Sequence, residues 1–186
     1  SPRYALQERL GEGALGVTYR ARDAVLDRDV VLKLLRPEAA GQREALLHEF
    51  VTLSRLREPR LPAMLDFGHD PQGRPYLSLA FVPGEPLAAP NPQPFSDLRG
   101  ALSDVTQALA AIHAAGLVHG DVKPDNIIVT TRGRGKLIDF SAASRVGGAA
   151  AARPGGTPAF WSPERASGAP ADPSADRFAL GKTLLL

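Results

Sequence analysis

The nine residues from Val118 to Asn126 read VHGDVKPDN and lie between two apolar runs of the chain. They bring two carboxylates, a lysine, an amide and an imidazole into one short stretch. A carboxylate and an amide provide the hard oxygen ligands that Mg²⁺ prefers, and a second carboxylate can accept a proton from an attacking hydroxyl. A lone aspartate is more often a cap or turn residue. Asp121 and Asn126, followed by Asp139 at the end of an apolar segment, are therefore interpreted together as one candidate site.

Length and composition limit the classes of protein that fit. The 186 residues suffice for one domain or for two small lobes that share a site, with a real hydrophobic core. The chain has no cysteine, which excludes disulfides, thiolate metal sites and a cysteine nucleophile. No apolar run approaches the roughly 18 residues of a membrane span, and arginine is spread along the chain. We therefore expect a cytoplasmic protein that does not bind nucleic acid.

The first half of the chain has the pattern of strands around one helix. Strands are predicted at Leu6 to Leu10, in VTYRARD and in VVLKLL, because polar and apolar residues alternate there or form a short apolar run. Leucines and a phenylalanine at three- and four-residue spacing predict a helix from Gln42 to Leu56. The segment Asp70 to Gly73 predicts the turn of a further hairpin.

The second half of the chain is predicted to contain two helices, two short strands and loops. Five prolines between Pro83 and Pro94 exclude regular structure there and suggest a joint between lobes. A helix is expected from Leu98 to Ala115, with Gly116 as its C-cap. Short strands are expected in NIIV and KLIDF, a mobile loop from Ser141 to Gly156, and a last helix in ADRFALGKTLLL.

A glycine-rich loop and a lysine in the first half suggest phosphate binding. The glycines of GEGALG precede a strand, whereas a dinucleotide-binding fold would place a helix there, so the loop is expected to cover phosphates as a lid. Lys33 lies within an apolar strand, where an ammonium group needs an anionic partner. Glu49 on the following helix is the predicted partner, and the pair would aim Lys33 at phosphate oxygens.

The order of these motifs resembles a known family. From Leu10 to Gly181, the ordered set GEGALGV, VVLK, Glu49, HGDVKPDN, IDF and GTPAFWSPE resembles the signature of eukaryotic-like (bacterial-type) Ser/Thr protein kinases. The resemblance implies an α+β, bilobal protein-kinase-like fold. Residues 1–82 would form a β-rich N-lobe with one helix and the hinge, and residues 83–186 an incomplete helical C-lobe.

The resemblance also implies how ATP is bound. Lys33, oriented by Glu49, would contact the α- and β-phosphates. The phosphates would be covered by Gly11, Gly13 and Gly16. The adenine would be sandwiched by Leu10, Val17, Val31 and Ile128, with Leu79 as gatekeeper and hinge hydrogen bonds from the backbone of Ala80 and Val82.

The catalytic roles implied by the resemblance fall in the second half. Asp121 would be the catalytic base and Lys123 would stabilise the transferred phosphoryl group, while Asn126 and Asp139 would bind Mg²⁺, with Mn²⁺ also possible. The remaining assignments are structural or substrate-positioning: His119, Thr157, Glu164 and Asp176. The expected substrate is a protein with an accepting Ser or Thr.

Three residues depart from the family pattern. Gly120 replaces an arginine that normally pairs with a phosphorylated activation loop, and no hydroxyl lies between Ser144 and Thr157. We therefore expect activity that does not depend on loop phosphorylation, with Thr157 contacting Asp121 and Lys123. Ser141 replaces a glycine, which reduces backbone freedom beside Asp139 and could either stiffen or impair metal binding. Val31 replaces an alanine and narrows the adenine pocket.

The chain is shorter than a whole kinase domain. We expect a fragment of a longer protein, in which the rest of the chain or a partner supplies the missing C-lobe helices. Glu164 would normally pair with an arginine in those helices, so a buried, unpaired carboxylate and marginal stability are expected here.

Two alternatives remain from the sequence. A small-molecule phosphotransferase of the aminoglycoside or choline kinase type shares the fold and an HGD motif, although Lys123-Pro124 and GTPAFWSPE argue against it. A nucleotide-binding pseudokinase scaffold is the other alternative, even though every residue needed for ATP and metal is present.

Overall fold

The computed structural model describes residues 3–12, 16–36, 54, 56–87, 95–148 and 155–185, without the side chains of 95–97. Gly13, Glu49 and most of the helix predicted between Gln42 and Leu56 lie outside these residues. The chain divides into two compact units, Ser1–Arg57 with Pro62–Phe81 and Glu58–Leu61 with Val82–Leu186. The assignment of residues 1–82 and 83–186 to two kinase lobes stays a prediction.

The first unit is built on one antiparallel sheet of five strands in the order β1-β2-β3-β5-β4. The strands predicted from alternation and from short apolar runs are confirmed. The elements are β1 (Tyr4–Glu12), β2 (Gly16–Asp23), β3 (Arg28–Leu35), β4 (Met64–His69) and β5 (Pro75–Ala80).

Two aspartates form the turns of this sheet. Between β2 and β3, Asp23 Oδ1 accepts hydrogen bonds from the backbone N–H groups of Val25 (2.8 Å) and Leu26 (3.2 Å). Between β4 and β5, Asp70 Oδ1 accepts from the backbone N–H of Arg74 at 2.8 Å. Gly73 adopts a φ of +78°, a conformation that favours glycine. The hairpin predicted around Asp70 is therefore confirmed.

Close packing of the strands accounts for Gly16, the last residue of the glycine-rich motif. A Cβ atom at this position would lie 2.0 Å from the carbonyl oxygen of Leu34 on β3. A side chain here would collide with the backbone of β3, so it would force β2 and β3 apart at this end of the sheet. Gly16 is thus required by the sheet itself, whatever ligand the loop contacts.

The second unit contains helices and short strands. One sheet has the order β6-β8-β9, and a second joins β10 to β7. In the described residues, no helix is both long and apolar enough to cross a membrane. The elements are β6 (Glu85–Pro86), α1 (Phe95–Ala114), β7 (Leu117–Val118), β8 (Ile127–Val129), β9 (Gly135–Leu137), β10 (Ser144–Arg145), α2 (Pro163–Ala166) and α3 (Pro173–Thr183).

Helix α1 provides the core of the second unit. It begins at Phe95 rather than at Leu98, and Gly116, with a φ of +76°, ends it as predicted. Its buried face packs on β9 and β7. A Cβ atom at Gly135 of β9 would lie 2.2 Å from the carbonyl oxygen of Ala101, so the helix and strand touch through their backbones. The apolar residues of the buried face are Ala101, Leu102, Val105, Ala108, Leu109 and Ile112.

The strand predicted for KLIDF was too long. Strand β9 ends at Leu137, and the next backbone N–H, of Ile138, donates to the carbonyl of Asn126 at 2.9 Å. Asp139 then takes a φ of +61°, which no strand residue can adopt. The chain therefore turns before Phe140.

Two segments expected to lack regular structure contain short strands. Glu85 and Pro86 pair with β8, and the proline is tolerated because β6 lies at the edge of its sheet. Ser144 and Arg145, in the predicted mobile loop, pair with β7. Tertiary contacts create both pairings, and neither leaves an alternating pattern in the sequence.

An ionic cluster around Asp104 joins three separate segments of the second unit. Asp104 is 2% exposed and accepts from Arg134 Nε (2.6 Å), Arg60 Nε (3.2 Å) and the backbone N–H of Gly135 (3.1 Å). The Arg134 hydrogen bond is the largest cause that lowers the pKa of Asp104, to about 2, against the opposing effect of burial. The charged carboxylate thus ties α1 to β9 and to residues 58–61.

We expect Asp104→Asn to lower the free energy of unfolding at neutral pH by about 2 kcal/mol, because charge-assisted hydrogen bonds are lost. In the wild type, the carboxylate of Asp104 becomes protonated at a higher pH in the unfolded chain than in the folded chain. The contribution of Asp104 is therefore complete above its unfolded pKa of about 4 and is lost as the pH falls towards 2.

Urea denaturation from about pH 6 to about pH 2 measures this dependence. The difference between wild type and Asp104→Asn should shrink as the pH falls. Glu85→Gln, which changes an exposed carboxylate, is the control. A difference that is independent of pH would contradict the assignment.

Candidate active site

The loop that follows β7 is held by a carboxylate from helix α3. Asp176 Oδ2 accepts the backbone N–H of His119 and Oδ1 accepts that of Gly120, both at 2.8 Å. His113 Nε2 of α1 lies 2.8 Å from Asp176 Oδ2. Burial alone would raise the pKa of Asp176, but the hydrogen bonds of His113 and of the two backbone N–H groups keep it lowered. The ionised carboxylate therefore organises the start of the loop.

His119 is fully buried and uses both ring nitrogens. Nδ1 accepts the backbone N–H of Asp121 at 3.3 Å, and Nε2 donates to the carbonyl of Ile138 at 3.1 Å. Burial lowers the pKa of His119, outweighing the opposite effect of nearby carboxylates. Its ring also meets that of Phe140 edge to face, with centroids 5.0 Å apart. A neutral imidazole with these contacts can brace the loop and has no free nitrogen for proton transfer.

Three side chains meet at the centre of the loop. Asp121 Oδ2 lies 2.8 Å from Lys123 Nζ, and Asp121 Oδ1 accepts the backbone N–H of Thr157 at 2.8 Å. Lys123 Nζ also donates to Thr157 Oγ1 at 2.7 Å. Asp121 is 6% exposed, so a charge there requires such partners. The group Asp121, Lys123 and Thr157 combines a proton acceptor with a cation beside it.

The candidate metal ligands adjoin this group. Asn126 Nδ2 donates to the backbone carbonyl of Asp121 (2.8 Å) and to its Oδ2 (3.0 Å), so Oδ1 is the acceptor that remains on the amide. Asp139 has a φ of +61°, which is uncommon outside glycine and typical of functional sites. Its Oδ1 accepts the backbone N–H of Ser141 at 3.2 Å. Both residues therefore present oxygen ligands of the type that Mg²⁺ binds.

The left-handed backbone conformation in the turn after β9 lies at Asp139 and not at Ser141. In the described residues, φ is positive outside glycine only at Asp27 and Asp139. A serine is therefore compatible with this state of the loop, in which the aspartate before Phe140 takes the left-handed conformation.

The expectation that Glu164 is a buried, unpaired carboxylate was wrong. Glu164 is exposed, in the first turn of α2. Its own backbone N–H and the Ser162 hydroxyl lower its pKa. The desolvation penalty expected for this residue therefore does not arise in the described structure.

The first unit carries most of the residues predicted to bind ATP, whereas Val82 and Ile128 belong to the second unit. Val31 pairs with Leu79, and Lys33 pairs with Thr18 and Leu77, so these side chains share one face of the sheet. The backbone N–H of Ala80 donates to the carbonyl of Ala63 at 2.8 Å. Leu10 is half-exposed on β1, and Ile128 is buried in the second unit. Because Glu49 lies outside the described residues, its pair with Lys33 stays a prediction.

Val17 does not lie on the face that carries Lys33. Val17 pairs with Leu34, whose side chain points to the opposite face because neighbouring residues of a strand alternate. Thr18, which pairs with Lys33, occupies the position expected for Val17. The alternation of side chains along β2 and β3 shows which residues share a face only when the pairing register of the two strands is known. The sequence alone did not give this register.

Comparison with known proteins identifies the family. The model for the protein kinase domain matches residues 4–186, which is nearly the whole chain. The chain belongs to the protein kinase domain family. The family implies ATP and a divalent metal as cofactors and a β-rich N-lobe, as the sequence predicted.

The most similar kinases among those compared are bacterial. The chain is 34% identical to the DNA damage-responsive serine/threonine-protein kinase RqkA of Deinococcus radiodurans, over 98% of this chain and 29% of that protein. It is 36% identical to the serine/threonine-protein kinase PknL of Mycobacterium tuberculosis, over 96% of this chain and 47% of that protein. The chain thus spans less than half the length of these relatives.

We expect Asp176→Asn to lower the free energy of unfolding by about 1–3 kcal/mol, because an amide has one acceptor oxygen and leaves one buried backbone N–H unsatisfied. Urea denaturation measures the change. Asp125→Asn, an exposed aspartate of the same loop, is the matched control. Equal denaturation midpoints for Asp176→Asn and the control would contradict the role assigned to Asp176.

Proposed function

We propose that this domain transfers the γ-phosphoryl group of ATP to Ser or Thr hydroxyls of proteins. The observation that carries the proposal is the group Asp121, Lys123 and Thr157, which sets a buried carboxylate beside a lysine. Matched relatives named as serine/threonine-protein kinases support the same conclusion. A cytoplasmic location is part of this proposal and stays a prediction.

Asp121 is proposed as the proton acceptor. Its Oδ2 lies 2.8 Å from Lys123 Nζ, so the carboxylate has a cationic partner at hydrogen-bond distance. An accepting hydroxyl that approaches Asp121 could transfer its proton as the bond to phosphorus forms. Lys123 is proposed to stabilise the negative charge of the transferred phosphoryl group, since its ammonium lies beside Asp121, where the accepting hydroxyl would approach.

Asn126 and Asp139 are proposed to hold Mg²⁺, with Mn²⁺ as the alternative. The donor set fits, because Asn126 Nδ2 is engaged by Asp121 and its amide oxygen is left to bind a cation. When bound, the metal would neutralise charge on the phosphate oxygens. What the chain itself contributes is the orientation of the two ligands.

Phosphoryl acceptors of two classes distinguish the proposal from its alternative. Wild-type protein should label a myelin-type protein substrate with radioactive phosphate and should not label aminoglycosides or choline. We expect Asp121→Asn to reduce kcat by on the order of 10²- to 10⁴-fold, because general-base catalysis contributes that much. Asp125→Asn should retain the wild-type rate.

Two outcomes would contradict the proposal. Labelling of an aminoglycoside or choline would indicate a small-molecule phosphotransferase. A thermal shift with ATP but no transfer by the wild type would indicate a nucleotide-binding scaffold.

The proposed enzyme does not require phosphorylation of its activation loop. Thr157 is engaged by Lys123 and Asp121, and the sequence between Ser144 and Thr157 has no hydroxyl. We expect phosphatase-treated protein, and the variant with Ser141→Ala and Ser144→Ala, to retain their initial rates.

Mass spectrometry of the active protein provides the check. A stoichiometric phosphate on Ser141, Ser144 or Thr157 that is required for activity would contradict this regulation.

A further inference from the structure

The loop after β7, residues 119–126, is called the catalytic loop, and it approaches the segment before Thr157 at Gly120 and Gly156. Gly120 has a φ of +80°, and a Cβ atom there would lie 2.4 Å from the carbonyl oxygen of Ala142. Gly156 has a φ of +88°, and its Cβ atom would lie 2.6 Å from the carbonyl oxygen of Gly120 and 3.2 Å from Asp121 Oδ1. The two segments are thus in backbone contact where Asp121 binds Thr157.

One side chain spans this contact. Arg165 of helix α2 donates from Nη1 to the carbonyl of Gly120 and from Nη2 to the carbonyl of Gly155, at 2.6 Å for the latter. The planar guanidinium has donors in a fixed fork, so both carbonyls are held at a set separation. Each bond is charge-assisted, and such bonds are stronger than neutral ones.

The surroundings of Arg165 keep it in place. Its guanidinium carbon lies 5.4 Å from the centroid of the Trp161 ring. Burial lowers the pKa of Arg165, while the carboxylates of Asp176 and Asp121 act in the opposite direction. A partly buried cation needs such compensation, and here it comes from the same carboxylates that organise the loop.

We propose that Arg165 is a positioning residue that ties the segment containing Gly155 to the catalytic loop and so sets the geometry of Asp121, Lys123 and Thr157. This inference rests on the proposed kinase activity and adds its regulation. The tie consists of protein groups alone, so the link between Gly120 and Gly155 does not need a phosphate. Arg165 acts through the backbone and does not touch the phosphoryl group.

Kinetics of Arg165→Ala in the full-length protein test this role. We expect kcat to fall by on the order of 10²-fold, the size of effect that a misplacement of about 1 Å can cause, with KM for ATP unchanged. Arg165→Lys should recover only part of the rate, because an ammonium lacks the fork that reaches both carbonyls. Arg132→Ala, an exposed arginine in a turn, is the control.

Chemical rescue of Arg165→Ala distinguishes a positioning role of Arg165 from a role in stability alone. Millimolar guanidinium chloride should restore part of the kcat of Arg165→Ala, whereas the same concentration of ammonium chloride should not. If Arg165 only stabilised the fold, millimolar guanidinium, which is far below denaturing concentrations, would leave the kcat of Arg165→Ala unchanged. That result would overturn the proposal.

Hydrogen exchange tests the tie without using activity. The N–H of Thr157, which donates to Asp121 Oδ1, should exchange faster in Arg165→Ala and in Gly156→Ala than in wild type. Unchanged exchange in Arg165→Ala would overturn the positioning role. Failure of the wild type to phosphorylate proteins would instead overturn the proposed function, and the exchange result would still decide the role of Arg165.

Discussion

The carboxylate of Asp176 binds the backbone N–H groups of His119 and Gly120, and the other contacts of the catalytic loop depend on this interaction. Two buried N–H groups at a sharp change of direction would otherwise be unsatisfied, at a cost of several kcal/mol. With these groups fixed, the imidazole of His119 can receive the N–H of Asp121. One carboxylate from helix α3 thus determines where the candidate base lies.

Several of the contacts that organise the site join a side chain to a backbone group. Asn126 donates to the carbonyl of Asp121, Thr157 donates its backbone N–H to the carboxylate, and Arg165 holds two backbone carbonyls. Asp139 keeps a left-handed conformation beside them. Such strain persists only where surrounding contacts determine the geometry, as is common in functional sites. The chain belongs to the protein kinase domain family, and these contacts converge on the loop that carries its candidate catalytic residue Asp121.

Much of the fold could be predicted because local patterns coincide with it. Alternation located β2, a short apolar run located β3, and the glycine at Gly116 located the end of α1. The strands at β6 and β10 could not be predicted, since two-residue pairings leave no period to detect. Val17 was misplaced by one residue, and in a strand that error moves a side chain to the opposite face.

The amino-acid sequence by itself determined the family, the type of chemistry and the candidate catalytic groups, because residue types and their order along the chain carry that information. Only the tertiary structure decided which groups meet. Asp176 follows His119 by 57 residues, and Arg165 follows Gly120 by 45. Contacts between residues so far apart in the sequence depend on how the segments pack. Neither the periodicity nor the composition of the sequence predicts this packing.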